Sequence, residues 1–83
     1  MKLNIDLQAK LRKQYEPNSL IEIKFKGRDV IFRTDAEGKP NLLFIGEKKS
    51  DGKIKGERYV RTLKKDQSGM IIKDHWDLKG KSN

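Results

Sequence analysis

Apolar and polar residues alternate along most of this chain, and the period of the alternation changes near Ser19. Before that point, apolar side chains recur at the spacing of one helix face: Leu3, Leu7, Leu11 and Tyr15. Asn4 can cap the first turn of such a helix. Pro17 ends it, because a proline pushes the residue before it away from helical dihedral angles. The pattern predicts a helix over residues 5–15.

The start of this segment also fits a strand. Leu3, Ile5 and Leu7 alternate with polar residues at period two, so residues 2–8 are open to both interpretations. The run from Ala9 to Gln14 consists mostly of good helix formers, which favours the helix.

From Ser19 onward, apolar residues recur at every second position, which is typical of strands with one buried face. The first predicted strand carries Ile21, Ile23 and Phe25 on one face. A tight reversal at Gly27 and Arg28 leads to a second strand, in which Val30 and Phe32 share a face while Ile31 and Arg33 point away. The continuous apolar run 42–45 predicts a central third strand that is covered on both faces.

Three further signals complete the sheet. Ser50, Asp51 and Gly52 indicate a hairpin turn, because Asp-Gly supplies the positive dihedral angles that such turns need. A fourth strand is predicted over residues 53–63, with a bulge at Gly56. A fifth is predicted over residues 70–76, after a polar turn.

Short connections between all strands predict a mostly β protein of the α+β class. Its five strands form an antiparallel meander, and the N-terminal helix either packs its leucine face on the sheet or plugs the mouth of a partly open small barrel. We expect residues 1–78 to form a single domain, and residues 79–83, which include no apolar residue, to be a disordered basic tail.

Positive charge is concentrated in one part of the chain. Between Lys48 and Lys65, eight Lys and Arg residues stand against two acidic residues, which gives +6 of the chain's net charge of +8. A local positive field attracts polyanions and releases their counterions, so nucleic acid is the first partner to consider. An exposed Tyr59 among these cations would suit base stacking. The predicted nucleic-acid-binding residues are Lys48, Lys49, Lys53, Lys55, Arg58, Tyr59, Arg61, Lys64 and Lys65.

Candidate enzyme chemistry is sparse. The chain has no cysteine and one histidine, so neither a thiol nucleophile nor a zinc ligand set is present. In a strand, His75 and Asp77 would share one face and Asp74 and Trp76 the other, with the carboxylates pairing to Arg58 or Arg61. We therefore expect a non-enzymatic protein with no catalytic residue, no metal site and no cofactor, with a small catalytic or ligand-binding domain as a third alternative.

Two other interpretations of the charge remain. The cations can simply keep a small domain in solution, or they can dock an acidic partner protein, with an exposed edge strand as a further means of pairing. Neither a signal peptide nor a long apolar run is visible, so we expect a cytoplasmic location and no membrane partner. The sequence leaves the oligomeric state open.

Overall fold

Asn4 caps a short helix at the start of the chain, in a computed structural model that describes residues 3–82. Helix α1 spans Ile5–Leu11, and the Asn4 side chain accepts a hydrogen bond of 2.8 Å from the Asp6 amide. Leu7 and Leu11 are fully buried against the sheet. The predicted cap and the predicted apolar helix face are therefore confirmed. Within the described residues, no helix is long and apolar enough to cross a membrane.

The helix ends one turn earlier than predicted. Tyr15 does not continue it, because its amide donates to the Gly38 carbonyl at 2.8 Å, and its ring meets Phe32 edge-on with centroids 5.0 Å apart. The Gln14 side chain donates to the Glu37 carbonyl at 2.8 Å. These contacts with the turn that follows the second strand replace the last helical hydrogen bonds.

Five antiparallel strands follow in chain order within one open sheet. Each strand pairs with its sequence neighbours, which puts the third strand at the centre and confirms the predicted meander. Their bounds are Leu20–Phe25 (β1), Arg28–Thr34 (β2), Pro40–Lys48 (β3), Ile54–Lys65 (β4) and Ile71–Ser82 (β5).

The two faces of the sheet differ sharply. The helix packs on one of them, which we call the covered face. The core lies between the helix and this face and consists of Leu3, Leu7, Leu11, Val30, Phe32, Leu43, Ile45 and Tyr59. The opposite, uncovered face is defined by the other side chains of the strand register: Leu20, Glu22, Lys24, Asp29, Ile31, Arg33, Leu42, Phe44, Lys48, Ile54, Arg58, Val60, Thr62, Lys64, Lys73, His75 and Asp77.

Two details of the central strands differ from the predictions. The reversal between β1 and β2 lies at Lys26 and Gly27, both with positive φ, so that Arg28 already pairs with Phe25. The apolar run in β3 is not buried on both faces. Leu43 and Ile45 lie in the core, whereas Leu42 and Phe44 are only half buried, because the helix covers one face alone.

The last two strands differ as well. Gly56 does not form a bulge but pairs in register with Gly46, and the irregularity lies between Arg58 and Tyr59. Strand β5 continues to Ser82, so residues 79–82, predicted as a disordered tail, belong to the sheet. Asn83 lies outside the described residues. Trp76 packs against the core from the covered face.

Candidate nucleic-acid interface

Gly46 and Gly56 let the β3–β4 hairpin bring its two backbones unusually close together. They are partners across the two strands. A Cβ atom on Gly46 would overlap the Lys55 carbonyl oxygen, and one on Gly56 would overlap the Ile45 carbonyl oxygen. Only glycine fits at both positions. The pair therefore sets the path of the hairpin end that carries the first group of candidate lysines.

A tight turn presents those lysines at the hairpin end. The Lys49 amide donates to the Lys53 carbonyl at 2.8 Å, and the Gly52 amide donates to the Lys49 carbonyl at 2.9 Å. The Asp51 carboxylate accepts the Lys53 amide at 2.9 Å, and Gly52 has a φ of +87°. The predicted Asp-Gly turn is confirmed, and it directs the side chains of Lys49 and Lys53 into solvent.

Five of the predicted nucleic-acid-binding residues are exposed cations. Among residues 3–82, none of the five has a carboxylate oxygen within 4.0 Å of its charged nitrogen atoms. Their charge is therefore available to an anionic partner. They are Lys49, Lys53, Lys55, Arg58 and Lys64.

Two other predicted lysines are already paired with carboxylates. Lys48 Nζ lies 2.6 Å from Glu22 Oε1, and Lys65 Nζ lies 3.1 Å from Glu37 Oε1. In each case the hydrogen bond to the carboxylate raises the pKa of the lysine. These ammonium groups would have to exchange one anion for another in order to contact a phosphate.

Arg61 is part of the interior, contrary to the prediction. Its side chain is only 5% exposed, and its guanidinium donates to both carboxylate oxygens of Asp74 at 2.7 Å. The same group donates to the Leu11 and Pro40 carbonyls at 3.1 Å, and it lies 5.6 Å from the centre of the Trp76 ring. Arg61 therefore joins the helix to strands β3 and β5, and its guanidinium is already hydrogen-bonded within the protein.

Tyr59 is also in the core, so the prediction of an exposed stacking residue is wrong. Its side chain is directed to the covered face, next to Leu43, and only 3% of the residue is exposed. Its hydroxyl donates to Glu57 at 3.3 Å. Burial, together with the nearby Glu57 carboxylate, raises the pKa of the Tyr59 hydroxyl. The residue contributes to the packing of the core.

The uncovered face adds two cations that the prediction missed. Arg33 and Lys73 are exposed, and Lys73 lies directly opposite Lys64 in the β4–β5 ladder. Like charges opposite one another are unfavourable unless an anion lies between them. The sequence pattern already placed Arg33 on this face, whereas the partner of Lys73 depends on the register beyond the irregularity at Arg58.

Two of the three acidic residues on the same face are already engaged by lysines, whereas the third, Asp77, is paired with His75. Glu22 is bonded to Lys48, and Asp29 lies 3.9 Å from Lys24 and accepts the Lys48 amide. Half-buried Phe44 lies directly opposite Arg58. The remaining surface is thus a partly apolar sheet face with exposed cations around it.

The cluster at residues 74–77 is divided between the two faces, as predicted. Asp74 pairs with Arg61 on the covered face, whereas His75 Nε2 lies 2.8 Å from Asp77 Oδ1 on the other. Within residues 3–82, no group of three or more His, Cys, Asp or Glu residues is placed to hold a metal ion.

Comparison with protein-family models, with curated proteins and with solved structures finds no match for this chain. Any functional proposal therefore rests on the geometry of the residues described above.

Proposed function

We propose that this protein binds nucleic acid, mainly through its phosphates, with the exposed cations of the β3–β4 hairpin and of the uncovered sheet face. Seven residues carry the proposal. Five come from the hairpin and its strands, and two come from the neighbouring strands: Lys49, Lys53, Lys55, Arg58, Lys64, Arg33 and Lys73.

The observation that supports this proposal most strongly is the juxtaposition of Lys64 and Lys73. The two side chains are direct cross-strand neighbours, both are exposed, and neither has a carboxylate partner among the described residues. Cross-strand pairs of like charge reduce sheet stability, and a bound phosphate would remove the repulsion. Charges placed only for solubility would not need to face each other.

The chemistry of the surface suits a backbone-directed mode of binding. Lysine and arginine side chains neutralise phosphates without reading the sequence, which supplies most of non-specific affinity. Phe44, next to Arg58, is an aromatic side chain of the uncovered face that could stack with an unpaired base, a role that buried Tyr59 cannot fill. No residue is assigned to reading individual base pairs.

A fluorescence titration tests the proposal. The probes are a labelled single strand of about 15 nucleotides and the matching duplex, each measured at about 50 mM and about 200 mM salt. Neutralisation of five or six phosphates predicts a slope of about −5 for log K against log salt on the duplex. Failure to bind either probe at the lower salt would contradict the proposal and favour an acidic protein as the partner.

A further inference from the structure

Strand β5 has a free outer edge along its whole length. It contains 12 residues, and within residues 3–82 no strand pairs with the edge that faces away from β4. Apolar side chains are exposed along it, with Ile72 65% and Leu78 42% exposed. A long edge strand of this kind is a template for pairing with another strand, and native proteins usually protect it.

The central part of β5 is regular enough to serve as such a template. Residues 73–78 pair with β4 in continuous register, between one irregularity near Ile72 and another near Lys79. Bulges at its two ends limit the pairing surface to this short stretch. Any partner strand must therefore match the sequence between Lys73 and Leu78.

We infer that β5 pairs antiparallel with β5 of a second copy of this chain, about a twofold axis that passes through His75. An antiparallel pair with twofold symmetry is centred on a residue, so that residue faces its own equivalent. With His75 at the centre, Lys73 lies opposite Asp77 of the second copy, and the symmetry repeats this pair. In the dimer the Asp77 carboxylate offsets the repulsion between Lys64 and Lys73, and Lys64 is then the member of that pair left to contact a phosphate. Opposite charges at directly facing positions stabilise a sheet.

Neighbouring registers lack this complementarity. A centre at Asp74 would place two Asp74 carboxylates face to face, which is unfavourable. A centre at Trp76 would leave Lys73 with no acidic residue opposite it, because its facing position, Lys79, lies at the irregularity. The charge sequence of β5 therefore selects the register centred on His75.

The covered side of β5 has open space beside the strand. A cleft of about 450 Å³ lies between the helix and β5, and it is lined by residues that include Arg12, Trp76 and Leu78. In the inferred register the half-buried Trp76 of one copy is the diagonal neighbour of Trp76 of the other copy on this side of the sheet. Aromatic side chains are long enough to contact each other between diagonal positions. Pairing would then bury apolar surface as well as backbone groups.

The other edge of the sheet is less suited to this role. Strand β1 has six residues, and its two charged side chains on the uncovered face, Glu22 and Lys24, are already bonded to Lys48 and Asp29. Pairing of β5 with β1 of another copy would leave a free β5 and a free β1 at the ends. Such contacts would continue into filaments and not stop at a dimer.

Disulfide trapping tests the register, and the absence of native cysteine makes it specific. In the full chain, His75→Cys places two thiols on the axis, where facing Cα atoms about 4.5–5.5 Å apart permit a disulfide. We expect a covalent dimer after mild oxidation. The matched control, Lys24→Cys on β1, should stay mostly monomeric. Equal trapping of both variants, or of neither, would overturn the inference.

Charge reversal tests the same contact without a cross-link. Sedimentation equilibrium without nucleic acid should show a dimer, and Lys73→Asp or Asp77→Lys should each raise its dissociation constant about tenfold. The double variant exchanges the two charges and should restore dimerisation. A monomer at every concentration up to about 1 mM, growth beyond the dimer, or no rescue in the double variant would contradict the inference. Because nucleic acid is absent, the outcome is separate from that of the binding titration.

Discussion

Asp74 accepts two hydrogen bonds of 2.7 Å from Arg61, one on each carboxylate oxygen. The pair joins β4 to β5, while the remaining guanidinium hydrogen bonds hold the end of the helix through the Leu11 carbonyl. Arg61, which the charge pattern predicts to bind phosphate, therefore has a structural role. Only 5% of the Arg61 side chain is exposed, whereas 31% of the Asp74 side chain is.

Replacing Asp74 with Ala should therefore be strongly destabilising. The change leaves the buried Arg61 guanidinium without a carboxylate partner. Because Asp74 itself is partly exposed, we expect a cost of about 2 kcal/mol, below that of a fully buried pair. Urea unfolding monitored by circular dichroism measures this. Asp77→Ala is the matched control, because its pair with His75 is exposed and should cost less than about 1 kcal/mol. Similar losses in the two variants would contradict the structural role of Arg61.

The same pair predicts how stability depends on pH. The hydrogen bonds from Arg61 lower the pKa of the Asp74 carboxyl group below its ordinary value. Such a carboxyl group stabilises the folded protein fully at pH values above its pKa in the unfolded state, which is about 4. This stabilisation is lost as the pH falls through the lower pKa of the folded state. Unfolding free energies at about pH 6 and about pH 2.5 should therefore differ less in Asp74→Asn than in the unsubstituted protein. An equal difference would contradict this assignment.

Gly56→Ala tests the close approach within the hairpin. The added Cβ atom would overlap the Ile45 carbonyl oxygen, so the strands must separate, at a cost of about 2 kcal/mol. Thermal unfolding should show the loss as a lower melting temperature. Lys55→Ala is the control at the neighbouring exposed position, and it should leave the melting temperature nearly unchanged. A Gly56→Ala variant as stable as the control would show that the backbones can relax.

Local patterns predicted the elements of the fold well. Period-two alternation places Ile21, Ile23 and Phe25 on one face, and Asp51-Gly52 marks the hairpin turn. The end of the helix was not predictable in this way. Tyr15 is withdrawn from the helix by Gly38 and Phe32, which are distant in the sequence.

The candidate site was less predictable than the fold, because it depends on the register along β4. If the alternation is unbroken from Lys53 through Gly56, Tyr59 and Arg61 share a face with Lys53. The pattern alone does not say whether that face is exposed to solvent or packed against the core. The packing of the helix decides this, since it covers the face that carries both residues. Charge alone gives equal weight to buried Arg61 and exposed Arg58, and it omits Lys73, which lies outside the basic run.

Measuring nucleic-acid binding by two charge-reversed variants distinguishes binding through the cations of the hairpin from binding that depends only on the net charge of the protein. Lys53→Glu with Lys55→Glu changes the exposed hairpin, and Lys10→Glu with Lys13→Glu makes the same charge change near the helix. Because phosphate contacts are local, the hairpin variant should lose at least about tenfold in affinity and about 2 from the magnitude of the salt slope. The helix variant should lose less than about threefold. Equal losses in the two folded variants would contradict binding through the hairpin.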